Sequence, residues 1–266
     1  MKPDNKDAEN FKTEGFRRYI TKKRSAIAAV VLLLIPIFIT TVFLTNGNLM
    51  DQERSECMRD NMTSEVVTDY DGNKYSTVKI GNQYWMVENL RAVHYSNGVK
   101  IEEVYAYGND ESNVAKFGRL YTWDAIASPH GISPAGWHIP TEEEWQELER
   151  YIGMEQGEIE KLGWRGTQSE SMKLKRDEKD LLWMDYSKRG VNDTGFSTLP
   201  GGVRKSGGAF FGKGMYADFW TSTEADSEKA WNRSLTWFPF HPGRTKIYRG
   251  NLGKSWGFSV RCIKDQ

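Results

Sequence analysis

The side chains able to do covalent or metal chemistry are few and scattered. Cys57 and Cys262 are the only cysteines in 266 residues, and the four histidines, His94, His130, His138 and His241, show no H-x-x-x-H or similar ligand spacing. Neither cysteine has a histidine nearby in sequence or a helix start that would lower a thiol pKa. No G-x-S-x-G elbow, phosphate loop or EF-hand loop is present. No catalytic residue, cofactor or metal site is therefore expected. Recognition chemistry is better represented. Ser234–Trp256 gathers Trp237, Phe238, Phe240, His241, Arg244, Tyr248 and Arg249 between glycines and prolines. Rings and arginines are what contact surfaces are enriched in. These seven are the candidate binding residues, for a glycan or a protein ligand. Period-two alternation offers a second role for part of the stretch: Trp231, Leu235 and Trp237 share one side of a strand and could face a core. Phe238, Phe240 and His241 flank Pro239 and Pro242, which places them in a loop.

The chain that must position these residues is electrically balanced, with 36 basic and 36 acidic side chains. Neutrality argues against a nucleic-acid partner, because such domains carry a basic excess. All ten tryptophans lie at or beyond position 85. Residues 1–24 hold eight Lys/Arg against four Asp/Glu and read as a basic tail. Ser25–Leu44 is a run of 20 residues without a charge, enough to span a hydrocarbon core, and Pro36 would kink it. A cleavable signal peptide fits less well: the run exceeds the usual ~7–15 residues and lacks a small-residue cleavage site. Residues 25–45 are thus expected to form a transmembrane anchor. The basic cluster before it puts the N-terminus in the cytoplasm and the remainder outside. Residues 46–65 read as a spacer and 66–266 as the folded domain.

Within that domain Ser133–Glu149 combines two demands. Pro134 and Pro140 impose extended geometry, and Thr141 with Glu144 then stands at capping-box spacing. Glu142, Glu143 and Glu144 suit the positive end of a helix dipole. Trp145, Leu148 and Ile152 share a face, so one amphipathic helix lands on something apolar. A β-hairpin is expected where Tyr75, Val78 and Ile80 alternate, Gly81–Asn82 turns and Tyr84–Met86 resumes. Leu120–Ile126 reads as a short strand or helical turn, and a second short helix is expected around Gln156–Leu162. Phe219–Ser222, Trp231–Trp237, Thr245–Tyr248 and Phe258–Ile263 read as closing strands.

Six pieces of sequence also follow one another in a known order. DGNKYSTVKIGNQYWMVENLR (Asp71–Arg91), GRLYTWDAI (Gly118–Ile126), GWHIPTEEEW (Gly136–Trp145), GFSTLPGGVR (Gly195–Arg204), FWTSTE (Phe219–Glu224) and GFSVRC (Gly257–Cys262) resemble the bacterial Fibrobacter succinogenes major paralogous domain family. The resemblance implies an α+β, C-type-lectin-like fold with short twisted antiparallel strands, one well-capped amphipathic helix and long loops, here preceded by a single transmembrane helix. It also implies a bacterial origin, so that the anchor expected from the apolar run would lie in the inner membrane and the domain in the periplasm or otherwise outside the cytoplasm, and it says little about activity.

Several expectations come with the resemblance. The family usually has a cysteine before PAGWH that pairs with the cysteine of the terminal VRC; this chain has Ser133 there. Either Cys57 pairs with Cys262, or Cys57 cross-links two chains into a homodimer and Cys262 stays buried. Formylglycine-generating enzymes share the implied fold but work through cysteine and copper, and that chemistry has no obvious seat here. Asn192, Asp193, Glu224 and Asp226 are calcium-binding in type, yet the E-P-N, Q-P-D and W-N-D triplets of sugar-binding lectins are absent. Asn61, Asn192 and Asn232 form sequons that a bacterium would leave idle. Tyr216–Trp256 corresponds to a stretch that some lectin-like domains diversify. The expected function is a membrane-anchored binding module, with an envelope assembly component as the alternative.

Overall fold

The alternating residues of the expected hairpin form it. Strand β2 (Lys74–Ile80) turns through Gly81–Asn82 into β3 (Gln83–Met86), with Ile80 opposite Gln83. These belong to a computed structural model that describes residues 65–173, 192–238 and 240–266. The basic tail, the apolar anchor, the spacer through residue 64, Cys57 and Asn61 lie outside the described residues, so the expectations placed on them do too. Among the described residues no helix is long and apolar enough to cross a membrane.

Strand β1 (Val66–Thr68) joins the outer side of β2. Two distant strands, β6 (Trp137–His138) and β13 (Ile263–Lys264), complete an antiparallel sheet of order β1-β2-β3-β13-β6. Ile263 pairs with Trp85 on one side and His138 on the other. The two ends of the domain therefore meet, and Lys264 Nζ lies 2.7 Å from Glu65 Oε2. A second antiparallel sheet has the order β10 (Tyr216–Glu224), β11 (Lys229–Thr236), β12 (Ile247–Gly253), β7 (Gly163–Arg165). Two small pairs, β4 (Val104–Tyr105) with β5 (Leu120–Tyr121) and β8 (Val203–Arg204) with β9 (Phe210–Phe211), fill the loops between them. The architecture is mixed and strand-rich, with short helices.

Leu120–Ile126 does both things expected of it. It forms β5 and then a one-turn helix, Trp123–Ile126, capped by Thr122 Oγ1 accepting from the Ala125 amide. The closing strands are displaced from their expected bounds. β11 ends at Thr236, and β12 begins at Ile247 and runs on to Gly253. Gly250 and Gly253 lie within β12, in register against Asn232 and Lys229.

The expected amphipathic helix is Glu142–Tyr151, named α1 here because the other helices among the described residues have one turn each. Thr141 Oγ1 accepts from the Glu144 amide at 3.2 Å, and Glu144 Oε2 accepts from the Thr141 amide at 2.8 Å. That reciprocal pair satisfies two helix-start donors. Glu144 also takes Nε2 of His138 at 2.9 Å, while Asp265 takes Nδ1 at 2.6 Å, so the cap is tied to the C-terminal strand. Trp145 and Leu148 are fully buried. Trp145 sits 5.2 Å from Trp85 of the first sheet, 5.7 Å from Phe219 of the second and 5.6 Å from Phe196 between them. One indole thus joins the two sheets. The second expected helix is a single turn, Gln156–Ile159, with Ile159 buried.

This packing can be tested at two places. Trp145→Ala should cost about 3–5 kcal/mol and Thr141→Ala about 1 kcal/mol in denaturant unfolding, the first by cavity formation and the second by loss of the cap. Equal costs would mean that the indole contributes no more to the junction than the helix cap does. The buried Cys262 thiol is free in the structure and lies 3.4 Å from Ser133 Oγ, the position where the resemblance expects a cysteine. Ser133→Cys should therefore close a disulfide with Cys262 on oxidation and add about 2–4 kcal/mol. Peptide mapping without reductant reads the bridge, and two free thiols after oxidation would refute the contact.

Candidate functional site

The second sheet presents two faces because its side chains alternate. On one face Asp218, Ser234, Tyr248 and Trp164 stand opposite one another across β10, β11, β12 and β7. Tyr216 lies two residues before Asp218 on the same side. Around the open end of this face the rings make a continuous row. Phe211 is 5.6 Å from Tyr216, Tyr216 is 6.3 Å from His241, His241 is 4.8 Å from Trp164, and Trp164 is 5.3 Å from Tyr248. Successive planes tilt by 34° to 87°, so the row is a string of separate facets and not one flat plate. Phe211 is exposed, and the other four rings are half-buried.

Glycines fix two of these rings. A Cβ at Gly243 would overlap the Trp164 indole, and one at Gly250 would overlap the Tyr248 ring. Both rings rest directly on backbone, which limits the orientations each can take. The Gly243 amide donates to His241 Nδ1 at 2.9 Å. Burial lowers the His241 pKa, consistent with a neutral ring that accepts at Nδ1.

The structure divides the seven sequence candidates. His241 and Tyr248 belong to the row. Phe238 is 42% exposed and Phe240 92% exposed on the adjoining loop, so both rings meet water. Arg244 is half-buried, and its carbonyl accepts from Lys173 Nζ at 2.6 Å and Ser169 Oγ at 3.1 Å. Trp237 and Arg249 must be corrected. Trp237 is 2% exposed, packed in the core with Lys173 Nζ 3.8 Å from its ring centre, because it continues the inward parity of Leu235. Arg249 is buried on the opposite face of the sheet, donating to Glu142 Oε1 at 2.6 Å and the Glu160 carbonyl at 2.8 Å. Cys262 is buried, and burial pushes its thiol up to about 12. Its proposed partner Cys57 lies outside the described residues.

Trp164, Tyr216 and Phe211 were not among the candidates. Tyr216 was legible as the start of the alternation Tyr216, Asp218, Trp220. Trp164 was not, since its neighbour β12 comes from more than eighty positions later in the sequence. Of the calcium-type residues, Asn192 caps its own turn by accepting from the Ser197 amide, Glu224 pairs with Lys254, and Asp226 accepts from the Glu228 and Lys229 amides. Among the described residues no group of three or more His, Cys, Asp or Glu side chains is placed to hold a metal ion.

Beneath the row, Asp218 is 7% exposed and accepts from the Ser234 hydroxyl. Burial pushes its carboxyl up to about 7, and the Ser234 donor offsets only part of that.

The sequence pattern of the Fibrobacter succinogenes major domain matches residues 78–264. No curated protein and no solved structure matches the chain.

The Asp218 environment gives a signed pH prediction. The folded state keeps this proton to about pH 7, whereas an unfolded aspartate loses it near 4. Stability should therefore fall between those values and level off above them. Asp218→Asn should remove this slope, stabilising the chain at pH 7.5 by at most about 4 kcal/mol and hardly at all at pH 4. Denaturant midpoints across pH 4–8 measure it; parallel profiles for both proteins would contradict a buried, protonated Asp218.

Proposed function

The chain belongs to the Fibrobacter succinogenes major domain family, and from that premise we propose that it is a binding module, with no catalytic role, whose ligand is a glycan. The observation that carries this reading is the row of rings from Phe211 to Tyr248, drawn from separate segments and held partly open to water. A sugar ring has C–H bonds on its faces, and these pack against the electron-rich face of an aromatic ring. Rings already seated on Gly243 and Gly250 lose little freedom on binding. Tilted facets suit a chain of sugar units, each meeting one ring.

The finer fold reading is C-type-lectin-like. It is supported by the meeting of both domain ends in one sheet and by a single long helix bridging two small sheets. The apolar run Ser25–Leu44 and its basic leader support a cytoplasmic N-terminus, an inner-membrane anchor and a domain working outside the cytoplasm.

The test is a glycan and peptide array with the full-length chain in detergent, beside Trp164→Ala and Phe240→Ala. Specific glycan capture, weakened about tenfold or more by Trp164→Ala with melting temperature unchanged, is the expected result. Capture of peptides alone would replace the glycan with a protein partner. No capture by folded protein would move the function to envelope assembly.

A further inference from the structure

The two segments that supply four of the five rings carry charges of one sign. Residues 203–216 and 238–248 supply Phe211, Tyr216, His241 and Tyr248. The same two segments carry Arg204, Lys205, Lys213, Arg244 and Lys246 and not one Asp or Glu, in a chain whose charges balance overall at 36 each. Several of these cations rest on rings. Lys205 Nζ is 5.0 Å from the centre of Phe211, the first ring of the row. The Arg204 guanidinium is 3.9 Å from the centre of Tyr105, and Lys213 Nζ is 5.3 Å from Tyr107, which in turn lies 5.3 Å from Phe210. Lys213 also donates to Asn113 Oδ1 at 2.7 Å.

Among the described residues no carboxylate forms an ion pair with Arg204, Lys205, Lys213 or Lys246. The nearest acids act only at longer range: Asp110 feels Lys213 and Glu158 feels Lys246. Cations held on rings, with no ion-pair partner among the described residues, keep their field available to a ligand.

Resting on the glycan reading above, we infer that the ligand is an anionic polysaccharide, a chain of sugars bearing carboxylates. The rings take the sugar faces, and Lys205, over the Phe211 ring at the end of the row, and Lys213, two residues after Phe211, take the negative groups. Single-stranded nucleic acid also combines stacking faces with negative charge. It fits less well because proteins that bind it carry a basic excess, and this chain is neutral.

The test uses the full-length chain in detergent with polygalacturonate, alginate and hyaluronan as acidic probes. Methyl-esterified polygalacturonate serves as the same sugar without charge, polyphosphate as an anion without stacking faces, and poly(dT) as an anion whose stacking faces are bases. The expected result is binding to at least one acidic glycan. The methyl ester should bind at least tenfold more weakly, and raised salt should weaken the interaction. Lys205→Ala/Lys213→Ala should lose at least tenfold in affinity with an unchanged melting temperature, and Lys205→Arg/Lys213→Arg should restore most of it. Equal binding of the acid and its ester would overturn the charge inference while leaving the glycan reading intact. Equal binding of polyphosphate or poly(dT) would overturn it in favour of a general polyanion site. Binding to none of the three acidic glycans would also overturn it, and the array with neutral glycans then decides the broader reading separately.

Discussion

Five charged side chains with almost no access to water set the relation between helix and sheet. Glu142 and Glu149 stand two turns apart on one side of α1, and both are buried. Arg233 reaches both, through bonds of 2.8 and 2.9 Å to Glu142 and 2.7 Å to Glu149. Arg249 adds a bond to Glu142, and Arg165 adds one of 2.6 Å to Glu149. Burial opposes the charge on Glu142, but the two arginines outweigh it and hold its pKa below the usual carboxylate range. Removing such groups from water is expensive, and close pairing only roughly offsets the cost. What the cluster gives is direction. The arginines spend further donors on the carbonyls of Ile159, Ile247 and Glu160, so the whole arrangement fits one placement of α1 over β7, β11 and β12.

That placement decides where the rings go. Arg165 follows Trp164, Arg249 follows Tyr248, and Arg233 precedes Ser234. Each arginine faces the helix, and its neighbour faces away. A strand shifted by one residue would exchange the two sets, burying rings under α1 and leaving charges outside. The ion cluster on one face is therefore the register mark for the aromatic row on the other. Arg249 bears on the proposed binding surface only indirectly, by fixing the strand that carries Tyr248.

The local features of the sequence were readable. The capping box, the Gly81–Asn82 hairpin and the exposed loop around Phe240 each depend on residues within a few positions of one another. Parity also placed Trp237 correctly in the core when it was read with Leu235. The ion cluster was not readable: Glu142, Glu143 and Glu144 look alike as helix-start acids, and only strands from later in the chain single out Glu142. Trp164 was missed for the same reason. Its ring gains meaning from His241 and Tyr248, which reach it through strand pairing and not through spacing.

The position of β13 bears on how such a domain comes into being. Its pairing joins residue 263 to residues 85 and 138 in the middle of the first sheet. A chain emerging from its N-terminus makes β3 and β6 early and must leave their facing edges unpaired until residue 263 arrives. Unpaired edges are templates for other chains, and contacts of such long sequence separation form slowly. The sheet closes only after nearly the whole domain has been synthesised, and until then the open edges of the nascent chain must be kept from its neighbours.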